Sequence, residues 1–162
     1  MADGTRPGGL TALAVLNFIG TAGFLLFSVI FLITANTPKL MDFARDEMVK
    51  QGRSQEEIEA HDRNAERAKQ DLEKMGGPNV AYGIAGGLGF LAILLLISGV
   101  GYLKLSPVWG RGVGNVYGLL SVIGLVMLGV TAGFNLIVFT LLIYPLLTLI
   151  LLNTTFRDDF AR

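Results

Sequence analysis

The sequence predicts an all-α fold: a four-helix transmembrane bundle with an extramembrane helical hairpin inserted between spans one and two. Three observations carry this. Apolar residues make up 52% of the 162-residue chain. Charged residues make up only 16%, and 18 of the 26 fall between Lys39 and Lys74. The remaining sequence divides into long uncharged runs, each too apolar for one small water-soluble core to hide.

The first run, residues 9–35, reads GLTALAVLNFIGTAGFLLFSVIFLITA. A secretory signal has an apolar region of about 7–15 residues, whereas a helix needs about 20 to cross a bilayer. This run is therefore read as a retained first span.

Residues 38–75 follow as a polar insert with its own punctuation. Thr37 and Pro38 suit a helix start, the hydroxyl as cap and the proline in the first turn. That helix offers Leu40, Met41, Ala44 and Met48 on one face and stops at Gly52. Ser54 opens a second helix with Glu57 at the capping-box position. Gly76-Gly77-Pro78 closes it. Along the second helix Ile58, His61, Ala65, Ala68, Leu72 and Met75 recur at spacings alternating between three and four. That is the narrow seam of paired helices, and it marks the insert as a hairpin whose seam meets its partner helix, the membrane surface or another protein copy. The charges around it occupy the solvated side, where Glu59–Arg63, Glu66–Lys69 and Lys69–Glu73 stand at helpful helical spacings.

The second span covers 79–103. Its repeat of Gly83 and Gly87 offers a face for close helix approach. Tyr102, Lys104, Trp109 and Arg111 then cluster as anchors at one membrane interface, where aromatic rings sit among headgroups and long bases reach water. The uncharged run over 112–155 would make a helix of about 66 Å, against about 30 Å of bilayer core. It is split at the TAGFN turn into spans over 112–130 and 135–153. Gly110, Gly114 and Gly118 form a GxxxGxxxG packing face leading into the third span. Tyr144-Pro145 interrupts the fourth and can bend it.

This threading puts both termini on one side and the hairpin on the other. Lys and Arg counts conflict over which side is which: the insert holds eight, the opposite side five, namely Arg6, Lys104, Arg111, Arg157 and Arg162. The short links give the cleaner contrast, since 104–111 carries two bases and no acid while TAGFN carries neither. Weighted that way, the termini are cytoplasmic and the hairpin lies outside a plasma membrane, the inner membrane in a bacterium.

Several functions are disfavoured. Zero net charge argues against nucleic acid as a partner. The chain has no cysteine and one histidine, too few ligands for a thiolate or histidine metal site. No Asp, Glu, Lys, Arg or His falls inside the spans, which counts against a proton-coupled transporter and a membrane-embedded acid–base enzyme. No phosphate-binding loop or hydrolase motif occurs, so no catalytic residue and no cofactor is assigned. Asn153-Thr154-Thr155 matches a glycosylation sequon but abuts the membrane on the side read as cytoplasmic.

The stretches LKLSPVWGRGVGNVYGLL, over 103–120, and IYPLLTLILLNTTFRDDF, over 143–160, resemble small bacterial four-span membrane proteins without assigned function. The resemblance covers the three C-terminal spans and implies no catalytic residues. The expectation is a non-enzymatic membrane component whose hairpin binds a protein partner or a second copy. The alternative is an oligomeric channel or passive conduit, with Asn17 and Asn115 as its polar lining.

Overall fold

A computed structural model describes residues 8–160, apart from the side chains of residues 131, 132 and 137. Arg6 and Arg162, counted above for sidedness, lie outside the described residues. All regular structure among the described residues is helical: α1 (Gly8–Lys50), α2 (Gln55–Lys74), α3 (Gly77–Leu103), a π-helical turn (Pro107–Gly112), α4 (Val113–Ala132), α5 (Leu136–Asn153) and a 3-10 turn (Asp158–Phe160). Three segments are long and apolar enough to cross a membrane: α1, α3 and Pro107–Val130. The apolar part of α5, Val138–Asn153, is shorter.

One boundary departs from the sequence reading. Residues 9–35 and the first helix of the insert are not two helices, because α1 runs for 43 residues straight through Pro38. Thr37 is not a cap; its hydroxyl donates back to the Ile33 carbonyl at 3.1 Å. Thr34 does the same to Ile30 at 3.0 Å, and the Asn36 amide to Leu32 at 2.8 Å. An interior proline removes one backbone donor and crowds the preceding turn. These three side chains bond to carbonyls of the preceding turn, and the helix continues through Pro38.

The chain packs as two compact units, Leu25–Gly89 and the remainder, with α1 and α3 each contributing to both. In Leu25–Gly89, α1 ends at a glycine-based cap. Gly52 takes φ +67°, and the Gly52 and Arg53 amides donate to the Val49 and Met48 carbonyls, both at 3.1 Å. Ser54 then caps α2 reciprocally with Glu57: the Glu57 amide donates to Ser54 Oγ at 3.3 Å, and the Ser54 amide to Glu57 Oε2 at 3.2 Å. After α2, Gly76 at φ +99° and Gly77 at φ +82° turn the chain into α3, with Pro78 in its first turn. At the base of the hairpin, Leu72 packs with Ala35 and Ala81, and Phe31 lies against them.

The other unit takes α1 up to Phe24, α3 from Phe90, the π-helical turn, α4, α5 and the tail. Its core gathers Leu10, Leu13, Ala14, Tyr102, Leu152, Phe156 and Phe160. The tail is thus part of the core: after α5, Phe156 and Phe160 fold back over the helix ends. The α4–α5 turn falls where TAGFN was expected, with Gly133 at φ +88° and Asn135 capping α5 through a 3.0 Å bond from the Val138 amide.

Candidate functional site

In the Leu25–Gly89 unit the hairpin seam forms where α2 meets α1. Ala65 and Leu72 are buried, and Ile58, His61 and Ala68 are partly so. Met75 is not on the seam: α2 stops at Lys74, Met75 becomes its C-cap, and its side chain is exposed. The two helices are cross-braced on their solvated side. Arg45 Nε donates to both carboxylate oxygens of Asp62 at 3.1 and 3.2 Å, and Lys69 Nζ reaches Asp42 at 3.4 Å. Lys69 therefore pairs across the hairpin rather than with Glu66 or Glu73 on its own helix, whereas Arg63 and Glu59 do face each other at 3.9 Å.

The single histidine sits inside this seam. Both His61 ring nitrogens are buried without a hydrogen-bond partner among the described residues, and the nearest carboxylate is Asp62, 3.7 Å from Nδ1. Among the described residues no group of three or more His, Cys, Asp or Glu side chains is placed to hold a metal ion. What the hairpin leaves outward is apolar as well as charged: Leu40 and Phe43, one helical turn apart on α1, are 53% and 69% exposed.

The glycine faces behave differently from one another. Around Gly110, Gly114 and Gly118 there is no room for another atom. A methyl group on Gly110 would lie 2.8 Å from the Phe160 ring and 2.9 Å from the Gly101 backbone. One on Gly114 would strike the Tyr102 hydroxyl, and one on Gly118 would lie 2.7 Å from Leu149. Gly83 and Gly87, by contrast, meet nothing within 4 Å. The packing face of this part of α3 is instead Ala81, Ala85 and Gly89, two positions round the helix. On that face Ser28 donates to the Ala85 carbonyl at 2.8 Å. Alanine at a four-residue repeat was the signal, and counting glycines alone passed over it.

In the other unit a buried polar cluster joins three helices. The Asn17 amide donates to Ser98 Oγ at 2.7 Å, its oxygen accepts from the Tyr144 hydroxyl, and its backbone carbonyl accepts from Thr21 at 2.8 Å. Asn17 and Ser98 are fully buried, so both side-chain ends of Asn17 are engaged inside the protein. Asn115, the other residue expected to line a conduit, is paired with Asn153 of α5. Asn153 Nδ2 donates to Asn115 Oδ1 at 2.8 Å, and Asn115 Nδ2 returns a bond at 3.3 Å.

At the end of α3, Tyr102 leaves the expected interface girdle. It is fully buried, its ring packs against Phe160, and its hydroxyl has no hydrogen-bond partner among the described residues. Lys104 and Trp109 are exposed, and Arg111 is half-buried. The link turns sharply through Leu105, whose φ of +51° is unusual for a branched residue. The Leu105 amide donates to Tyr102 at 3.3 Å and that of Ser106 to Gly101 at 3.0 Å, while the Leu105 side chain packs on the core. Ser106 then caps the π-helical turn through a 3.2 Å bond from the Trp109 amide.

Comparison with protein-family models, with curated proteins and with solved structures finds no match to this chain.

Proposed function

We propose that this chain is a multi-pass integral membrane protein that acts as a non-enzymatic assembly or partner-binding component, with its hairpin as the binding element. The observation that carries this reading is the course of α1. The helix passes from an uncharged apolar run into a charged segment without a break and carries Leu40 and Phe43 exposed on that segment. At 1.5 Å per residue its 43 residues reach about 64 Å, roughly twice a bilayer core. The surplus projects into water with α2 folded onto it, and the Leu72 contact with Ala35 and Ala81 braces its base.

In this reading α5 is the fourth span. Its 18 residues give about 27 Å, enough for a bilayer core of about 30 Å with slight local thinning. The resemblance to small bacterial four-span proteins fits an inner-membrane location, and the contrast between the basic 104–111 link and the uncharged TAGFN turn favours the hairpin outside. The conduit alternative asks Asn17 and Asn115 to present free amides to a pore, and both amides are occupied by neighbouring side chains.

Because the seam residues Ala65 and Leu72 are used within the hairpin, the partner face is the outer side of α1. A photo-crosslinking residue placed at Phe43 in native membranes is expected to give a discrete protein adduct, either heterologous or a second copy. Leu40→Glu should abolish it without changing expression. Adducts to lipid alone would refute the partner-binding role.

A further inference from the structure

We propose that the end of the chain's membrane bundle formed by the α3–α4 link and the tail is a binding site for the headgroup of an anionic phospholipid. Arg111 contacts the phosphate, and Lys104 and Arg157 flank it. The proposal rests on the membrane-spanning reading above.

Arg111 is oriented without being neutralised. Its Nη2 donates to Asn153 Oδ1 at 3.2 Å, and that amide is itself held by Asn115 and by the Leu149 carbonyl, 2.8 Å from Asn153 Nδ2. A neutral amide thus aims the guanidinium while leaving its full positive charge and most of its donors for a ligand. Among the described residues, every ion pair lies within residues 42–74, in the hairpin. None involves Lys104, Arg111 or Arg157, nor the acids Asp158 and Asp159 that follow in the tail.

The three bases share one end of the unit. Lys104 stands between Leu103 and Leu105, which pack on the cluster containing Phe156 and Phe160, and Arg157 follows Phe156 directly. Gly110, the neighbour of Arg111, lies against Phe160. Trp109 adds a 58%-exposed indole two residues from Arg111, the residue type that settles at headgroup level. Bases close to an anionic surface are attracted to it by about a factor of five each, and the tail acids Asp158 and Asp159 offset part of that attraction beside Arg157.

Trp109 is the chain's single tryptophan and so reports on the site directly. The full-length protein is reconstituted in phosphatidylcholine vesicles containing a minor fraction of phosphatidylglycerol, and either lipid is supplied with brominated acyl chains to quench Trp109. The expected result is several-fold stronger quenching per mole fraction by brominated phosphatidylglycerol. Arg111→Gln should cut that preference about fivefold, and Lys104→Gln should reduce it too. Asn153→Leu removes no charge yet should also lower it, because it releases the guanidinium. Equal quenching by both lipids would overturn the site and leave the membrane reading intact, while no quenching by either would overturn both. An equal Trp109 response to inorganic phosphate, added in detergent without lipid, would overturn the phospholipid as ligand.

Discussion

At the residue scale, the glycines show how far sequence spacing reaches. GxxxG repeats identify positions where helices can approach closely, and they do so equally for Gly110–Gly114–Gly118 and for Gly83–Gly87. Only the neighbours distinguish them. A close backbone-to-backbone approach lies between Gly101 and Gly110, where a methyl group on Gly101 would sit 2.5 Å from the Gly110 α-carbon. Backbone cannot move aside as a side-chain tip can, so Gly101→Ala and Gly110→Ala should each cost about 1–3 kcal/mol or more. Gly83→Ala and Gly87→Ala should leave stability unchanged or slightly raised, since the added methyl meets nothing and glycine weakens a helix interior. Thermal unfolding of the four variants in one detergent checks the contrast. Tyr102 illustrates the same limit. An aromatic residue at the edge of an apolar run reads as an interface anchor, but here α1, α4, α5 and the returning tail, with Phe160 against its ring, enclose it in the core.

At the element scale, local chemistry was legible and long-range continuity was not. The Ser54–Glu57 box, the Gly52 stop and the Gly76-Gly77 turn depend on residues within a few positions of one another, so spacing alone finds them. The entry to the hairpin depends on whether Pro38 begins a helix or sits within one. Thr37 suits either role, as a cap or as a donor to the preceding turn, and α2 packed along α1 favours continuation. The seam divides accordingly. Leu72, 2% exposed at the base of the hairpin, should cost about 2–5 kcal/mol when truncated to alanine. Met75→Ala should stay within about 0.5 kcal/mol, because that side chain lies beyond the end of α2. Hydrogen exchange of the α2 amides measures both effects on the element itself. The cross-braces Arg45–Asp62 and Asp42–Lys69 are solvent-exposed and contribute little stability individually.

At the scale of the whole molecule, the proposed function depends on how many times the chain crosses the bilayer. Three segments meet the length and apolarity needed, and the apolar part of α5, Val138–Asn153, is shorter. Composition and the uncharged runs made the helical, membrane-type character legible, but a TAGFN turn reads the same whether α5 crosses or lies along the surface. The absence of native cysteine allows a direct test. Single cysteines are placed at Gln55, beside the hairpin tip, and at Thr155, after α5, and intact cells are exposed to a membrane-impermeant thiol reagent. The Gln55 position is expected to label at once, and the Thr155 position only after the membrane is opened. Labelling of both positions from the same side would contradict this, because α5 would then not cross.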